Sequence, residues 1–264
     1  MSAADRMKVL LFLALFSGAS GALFTLLCCG TEYWLLAAES CSRTREEDDR
    51  KRNTLKPEDG VTMFHQGLFW RCFFTSASSD FSILDFWISE KPPGRSESKT
   101  CQPAFLFPFP APHPALTGFP SEPYQPASAI VFRTFWSIFL VSGVTAVVIG
   151  GLLVLCAAPL TNRSLYSAGG ALHVCGGVCL LVVMVMYLVW VQVLDTLEQF
   201  AVHQRGVSSC PSYQLSVQQG PSFLLAPAAG FLCLLAGLLF ILVGRGVQGI
   251  HSDPTIPGPS ETEL

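Results

Sequence analysis

The stretch TFWSIFLVSGVTAVVIGGLLVLCAA, from Thr134 to Ala158, contains no Asp, Glu, Lys or Arg. About 20 consecutive apolar residues are enough for a helix to cross the hydrocarbon core of a bilayer. Three further stretches share this length and lack of charge, at about 9–30, 167–192 and 223–244. Because unpaired backbone groups are costly in lipid, all four are predicted to be transmembrane helices.

The composition of the whole chain agrees with this interpretation. Half of the 264 residues are hydrophobic and only 13% are charged, whereas about 25% are charged in an average soluble domain. Most of the charge lies between Glu32 and Arg133, which predicts one large aqueous loop. The net charge of -3 gives no reason to expect a nucleic-acid partner.

The first apolar stretch has a second interpretation. Lys8, an apolar run and the small residues 17–22 would also fit a cleaved signal peptide. The apolar run continues from Phe24 to Leu27, which favours a retained helix. In such a helix, small residues let neighbouring helices approach closely.

The basic residues next to the helices predict the orientation. Arg6 and Lys8 precede the first stretch, Arg163 lies between the second and third, and Arg245 follows the fourth. The positive-inside rule then places both termini, including the tail 245–264, in the cytoplasm. Loops 31–133 and 193–222 would face outwards, and the predicted location is the plasma membrane.

The ten cysteines fall into two groups. Six lie in or at the edges of the predicted helices and are interpreted as packing residues: Cys28, Cys29, Cys156, Cys175, Cys179 and Cys233. Cys156, near the predicted cytoplasmic end of its helix, is also a candidate for palmitoylation. The other four lie in the outer loops: Cys41, Cys72, Cys101 and Cys210. In an oxidising compartment they predict two disulfides, with three possible pairings.

The large loop has three parts of different composition. Residues 41–59 mix charges of both signs and are predicted to be solvated. Residues 62–87 are rich in aromatic and β-branched side chains, which predicts short antiparallel strands. Residues 103–126 contain recurring prolines and aromatics, which predict an extended chain. Those aromatic side chains either bind a partner or pack against the sheet of the loop itself.

A set of residues in this loop and beside it carries a family resemblance: Trp34, Gly67, Leu68, Trp70, Cys72 and Arg133. Together with Cys101 they resemble the signature of the claudin superfamily, which includes claudins, peripheral myelin proteins and calcium-channel gamma subunits. Phe69 displaces the signature tryptophan by one position. The resemblance implies a single domain over 1–264, mainly α. It would be a left-handed bundle of four transmembrane helices with a small extracellular antiparallel β-sheet.

The resemblance also implies how the outer cysteines pair. Members of the superfamily pair the cysteines that correspond to Cys72 and Cys101, which leaves Cys41 and Cys210 as the second pair. Some gamma-type relatives instead pair an early cysteine in the manner of Cys41 with Cys72. A disulfide between the two loops is therefore expected, with this alternative open.

The sequence gives little sign of chemistry. No two of the five histidines have the spacing of metal ligands, and no carboxylate lies inside the predicted helices. We therefore predict no enzyme, no metal and no cofactor. His173 lies at membrane depth and is predicted to be a neutral, hydrogen-bonded side chain.

The last four residues are Glu261-Thr262-Glu263-Leu264. Thr262 and the terminal Leu264 fit a class I PDZ ligand, which adds as a strand to the edge of a PDZ sheet. The alternative is a solvated tail.

Strings such as GTEYWLLA (30–37) and VWVQ (189–192) resemble one branch of the superfamily. That resemblance implies a role in muscle and fat cell differentiation, with integrin-type adhesion receptors as partners. The predicted function is a non-enzymatic regulator that binds a membrane receptor. The alternatives are an auxiliary subunit of a calcium channel or glutamate receptor, and a claudin-type junction protein.

Overall fold

The computed structural model describes residues 3–41, 61–76, 100–104, 127–160, 162–207 and 212–251. Its helices are α1 (Ala3–Gly30), α2 (Ala127–Leu160), α3 (Arg163–Leu188), α4 (Thr196–Val207) and α5 (Pro221–His251). Its strands are β1 (Leu35–Cys41), β2 (Val61–Gln66), β3 (Trp70–Ser76), β4 (Thr100–Pro103) and β5 (Tyr213–Gln219). Several predictions concern residues outside the described ranges: the charged segment after Cys41, most of the proline-rich segment, Cys210 and the C-terminal Thr262 and Leu264.

Among the described residues, four helices are long and apolar enough to cross a membrane, and they confirm the four predicted spans. These spans are Asp5–Gly30, Ile130–Pro159, Arg163–Val193 and Pro221–Gly246. The helices extend beyond the predicted ends, so that α2 begins at Ala127 rather than near Thr134. The apolar pattern marks only the part of a helix that lies in hydrocarbon, whereas backbone hydrogen bonding continues into the polar region.

The predicted antiparallel sheet is also present. Its five strands have the order β4-β3-β2-β1-β5, and all four pairs are antiparallel. Strands β2 and β3 lie where aromatic and β-branched residues predicted them. The interior strand β1 pairs with β2 on one side and with the edge strand β5 on the other, so that Leu35 is opposite both Gln66 and Gln219.

The chain forms two compact units. The first contains Met1–Thr25, Leu140–Leu181 and Pro227–Leu264. The second contains Leu26–Phe139 and Val182–Ala226, and therefore holds the sheet and α4.

Glycines bring α3 and α5 close together in the first unit. A Cβ atom added at Gly237 would lie 2.6 Å from the carbonyl oxygen of Gly170, and one added at Gly170 would lie 2.7 Å from that of Gly237. Neither backbone can give way, since each belongs to a packed helix. Close backbone approach through small residues is a common way for helices to associate in lipid.

We expect Gly237→Ala to destabilise this unit, because the new methyl group would collide with the backbone of α3. Overpacking of this kind typically costs about 1–3 kcal/mol. Thermal unfolding of the purified protein in lipid nanodiscs would measure the loss. Gly151→Ala is the matched control because a Cβ atom there meets nothing within 4 Å. Equal melting temperatures for the two variants would contradict the prediction.

His173 is buried in the first unit, and its Nδ1 atom lies 2.9 Å from the carbonyl oxygen of Gly169. The ring also lies near Phe240, with centroids 5.6 Å apart. The hydrogen bond predicted for this side chain is therefore made to its own helix.

Candidate functional site

Trp34 lies at the centre of an aromatic cluster in the second unit. Its side chain is only 1% exposed, and its Nε1–H donates to the carbonyl oxygen of Cys28 in α1. Its ring packs edge-on against Trp136, Tyr187 and Phe223, with centroids 5.8, 6.2 and 5.7 Å apart. Edge-to-face pairs at such distances are favourable beyond their buried area. The tryptophan thereby joins the start of the sheet to residues of α2, α3 and α5.

The backbone of Trp34 makes the same connection. Its N–H donates to the carbonyl oxygen of Gln66 at 3.0 Å, and its carbonyl oxygen accepts from Gly220 at 2.9 Å. These two bonds connect Trp34, the residue before β1, to the end of β2 and to the residue that follows β5. The position of the sheet is thus fixed by one residue through both its main chain and its side chain.

The Gly67-Leu68 pair of the signature fills the space beside the end of α1. A Cβ atom at Gly67 would lie 2.6 Å from the Cα atom of Glu32 and from the carbonyl oxygen of Thr31. Leu68 is completely buried. Only glycine therefore allows the turn after β2 to approach α1 so closely.

Sequence reasoning missed a second glycine of this kind. A Cβ atom at Gly220 would collide with the carbonyl oxygen of Tyr33. Gly220 lies between the last strand and Pro221, which begins α5. The Gly-Pro pair marks a break in the chain, and this was the available signal.

The structure contains a disulfide between Cys72 and Cys101, with an S–S distance of 2.12 Å. The two residues are direct partners in the β3–β4 register, so the bond holds the short edge strand β4 in place. Cys41 is the last residue of β1, and its backbone is opposite Tyr213 of β5. Cys210 lies outside the described residues, so its bond to Cys41 stays a prediction.

We expect Cys72→Ser to misfold in the secretory pathway. Loss of a native disulfide from a small extracellular module typically costs about 2–5 kcal/mol. Surface biotinylation would measure the fraction that reaches the cell surface, with Cys101→Ser expected to behave in the same way. Cys175→Ser is the control, since Cys175 is exposed and not in a disulfide. A normal surface level of the Cys72 variant would contradict the expectation.

A buried acid and a partly buried base share one face of the sheet. Glu39 is 2% exposed, and its Oε1 atom makes no hydrogen bond within the described part of the chain. Arg71 donates from Nε to Oε1 of Gln66 at 2.9 Å. Alternation along β1 places Glu39 on the same face as Leu35 and Ala37, and sequence reasoning did not single it out.

In both members of this pair, burial changes the pKa more than the attraction between the two charges does. Burial raises the pKa of Glu39 to about 7, against the opposing effects of the Tyr213 hydroxyl and of Arg71. Burial likewise lowers the pKa of Arg71 to about 10, against the attraction of Glu39. The Tyr213 hydroxyl influences Glu39 without reaching hydrogen-bonding geometry. Its own pKa is raised by burial first and by Glu39 second. The attraction between the two charges thus offsets only part of their desolvation penalty.

Glu32, His65 and Cys72 gather next to the sheet in a group that resembles a set of metal ligands. The Oε2 atom of Glu32 lies 3.8 Å from Nδ1 of His65 and 3.5 Å from the sulfur of Cys72. That sulfur is bonded to Cys101 and offers no thiolate. One imidazole and one carboxylate are fewer than the three protein ligands of a typical zinc site. The ring of His65 stacks on Tyr33 at 4.7 Å, which fits a structural role.

Comparison with known proteins agrees with these features. Residues 19–242 match the family model described as PMP-22/EMP/MP20/Claudin tight junction. The chain belongs to the claudin family. It is also 38% identical over 250 residues to transmembrane protein 182 of Danio rerio, covering 90% of this chain and 96% of the relative. Transmembrane protein 182 of Homo sapiens is 36% identical over 249 residues, covering 93% of this chain and all of the relative.

The other predicted site residues of this claudin-family chain lie apart from the buried contacts of Trp34. Trp70 is 48% exposed at the start of β3. Arg133 is partly buried in α2, three residues before the buried Trp136. Cys156, the palmitoylation candidate, is exposed near the other end of α2.

The helix α4 lies within the segment 193–222, which was predicted to be an outer loop, and sequence reasoning did not single out a helix there. Asp195 adopts a positive φ of 50°, which ends the π-helical turn Val189–Val193 and redirects the chain. Thr196 then donates to the carbonyl oxygen of Trp190 at 2.7 Å. The helix is polar and short, so it lacks the apolar run that revealed the others. The sequence Asp195-Thr196-Leu197-Glu198 is nevertheless typical of a helix start.

Proposed function

We propose that this claudin-family protein is a non-enzymatic regulator in the plasma membrane that modulates muscle cell differentiation. It binds a membrane receptor of the integrin type through its two outer loops. The observation that carries the proposal is the sheet itself, in which strands from both loops form one pre-organised surface. A surface that is already ordered loses little entropy on binding a partner.

The exposed side chains of β5 form the favoured contact surface. Gln214, Ser216 and Gln218 alternate along the strand and are all exposed. Near the start of the strand, Arg205 of α4 donates from Nε to the carbonyl oxygen of Tyr213 at 3.0 Å, which limits access to the backbone there. Recognition through the polar side chains is therefore favoured over addition of a partner strand.

The buried groups support a function without catalysis. Glu39 has the raised pKa that a general acid or base often has, but its side chain is buried on one face of the sheet and only 2% exposed. A substrate could not reach it without displacing the groups that cover that face.

The basic residues support cytoplasmic termini. Arg6 and Lys8 lie in the first turns of α1, Arg163 begins α3, and Arg245 lies near the end of α5. By the positive-inside rule these ends face the cytoplasm, with the sheet-forming segments on the outer side. In that orientation Cys156 is available for palmitoylation, and Thr262 with Leu264 for a PDZ domain.

The proposal can be tested by crosslinking on living muscle precursor cells with a membrane-impermeant reagent. We expect an integrin-type receptor to be captured, and Ser216→Arg to abolish the capture. Gly206→Arg is the control, because it places the same side chain at another exposed position with open space around it. Capture of channel subunits would favour the auxiliary-subunit alternative, and capture of only the protein itself would favour the junction alternative. Either result would overturn the proposal.

A further inference from the structure

Three side chains beside the sheet are spaced like the ligands of a metal ion. One ligand atom from each of Glu32, His65 and Cys72 lies within 4.8 Å of those from the other two. Bonds of about 2.0–2.3 Å to a tetrahedral zinc ion place neighbouring ligand atoms about 3.3–3.8 Å apart. The Oε2 atom of Glu32 is 3.8 Å from Nδ1 of His65 and 3.5 Å from the sulfur of Cys72. Both distances lie within or close to the range that zinc requires.

Cys101 is the fourth candidate ligand. It is the direct partner of Cys72 in the β3–β4 register, so the two sulfurs stay neighbours after reduction as long as these strands remain paired. Reduction of the disulfide supplies two thiols, which lose their protons on binding a metal. Two thiolates, one imidazole and one carboxylate then make four protein ligands, which is the number in a structural zinc site.

The surroundings of the cluster hold Glu32 and His65 in place. A Cβ atom at Gly67 would lie 2.6 Å from the Cα atom of Glu32, so the turn after β2 lies directly against this residue. The ring of His65 stacks on Tyr33 with centroids 4.7 Å apart. Its Nδ1 atom lies 3.2 Å from the carbonyl oxygen of Glu32, a contact that zinc would replace. Ligands that are already positioned lose little freedom when a metal binds.

The cluster is open to solvent on the side of Glu32 and Cys101. The side chain of Glu32 is 32% exposed, and Cys101 is exposed. His65 and Cys72, in contrast, are buried. A reductant and a metal ion can therefore reach the cluster from one side while the other ligands stay enclosed by protein.

We propose that the reduced protein binds Zn²⁺ through Glu32, His65, Cys72 and Cys101, and that formation of the disulfide releases the ion. The oxidant is the disulfide of a thiol–disulfide oxidoreductase. It takes two electrons from the two thiolates and two protons from solvent, and becomes a dithiol as the Cys72–Cys101 bond forms. In a newly made chain, the ion holds β3 and β4 beside the end of α1 until the disulfide replaces it.

The site can be tested with Co²⁺ as a spectroscopic substitute for zinc, on the purified protein in nanodiscs. The protein is reduced with a phosphine, which is then removed without admitting oxygen. We expect the visible absorption bands of tetrahedral Co²⁺ and a near-ultraviolet band from its thiolate ligands, and zinc should abolish both. The oxidised protein is the matched control, because the same chain without these thiolates should show neither band.

Two variants distinguish this site from the other cysteines of the chain. Loss of a group that only orients a metal ligand typically weakens binding about 10–100-fold, so loss of a direct ligand should weaken it at least as much. Glu32→Gln keeps the size of a partly exposed side chain, and His65→Ala removes the imidazole. Both should lose affinity for Co²⁺ to this extent. Glu198→Gln, at an exposed position of α4, should bind Co²⁺ like the wild-type protein.

Two outcomes would overturn the proposal. Absence of the tetrahedral bands from the reduced wild-type protein would mean that the four side chains do not form a site. Unchanged bands in Glu32→Gln and His65→Ala would assign the metal to other cysteines. If His65→Ala does not fold, Glu32→Gln alone decides this comparison, because its side chain is partly exposed and keeps its size.

Discussion

Replacement of Trp34 by Ala is expected to destabilise the second unit by about 3–5 kcal/mol, the usual cost of removing a large buried aromatic side chain. The ring contacts three other aromatic side chains, and its Nε1–H is the donor to the carbonyl oxygen of Cys28. The cavity left by the indole ring would remove the contacts between the start of β1 and residues of α2, α3 and α5. The melting temperature in nanodiscs and the fraction of the protein at the cell surface should both fall sharply.

Two control variants separate the causes of this loss. Trp34→Phe keeps an aromatic ring but removes the hydrogen bond, so it should cost closer to about 1–2 kcal/mol. Phe12→Ala removes a large side chain that is 67% exposed and should change stability little. If Trp34→Ala melted at the wild-type temperature, the central role assigned to the aromatic cluster would be refuted.

Glu39→Gln is expected to stabilise the protein at about pH 8 and to remove part of its pH dependence. The pKa of Glu39 is about 7 in the folded protein, compared with its ordinary value of 4.5. Between these pH values the folded protein holds a proton that the unfolded chain has released. Stability therefore falls as the pH rises through this range, by about 3 kcal/mol in total for a shift of this size.

The groups that face Glu39 do not titrate in that range. Arg71 keeps its charge, because its pKa is about 10, and Tyr213 stays neutral, because its pKa is raised. Melting temperatures at about pH 5 and about pH 8 would give the pH effect for wild type and variant. An identical pH effect in the two proteins would exclude Glu39 as its source.

Arg71→Met provides a second check on the buried pair. It removes the attraction that opposes protonation of Glu39, so the pKa of Glu39 should rise further. The loss of stability with rising pH should then extend to higher pH than in the wild-type protein. Removal of one member of a buried pair also costs about 3–5 kcal/mol, which should appear at about pH 8.

The four spans were predictable because a run of about 20 apolar residues without charge is typical of a transmembrane helix. The strands β2 and β3 were predictable in kind, since aromatic and β-branched side chains dominate residues 62–76. The claudin-family signature placed Trp34 and Gly67, and the structure shows why those residue types are needed. In each case a local pattern reflected a single strong physical requirement.

Other elements depend on tertiary contacts that no local pattern reveals. Strand β1 has the sequence LLAAESC, whose leucine, alanine and glutamate favour a helix. It is extended because β2 and β5 hydrogen-bond to it from both sides. Glu39 was overlooked for the same reason, since a carboxylate next to a charged segment normally faces water. Its burial follows from the interior position of β1, which has a neighbouring strand on each side.

The interior position of β1 between β2 and β5 also affects how the protein is made. Its first neighbour, β2, follows within the same loop, but its other neighbour, β5, is synthesised only after α2, α3 and α4. Throughout that interval the growing chain presents β1 as an open strand edge, which is prone to pair with other chains. Translation of the last third of the protein thus determines whether the first third can complete its fold, and a chain that terminates after α3 would present this open edge permanently.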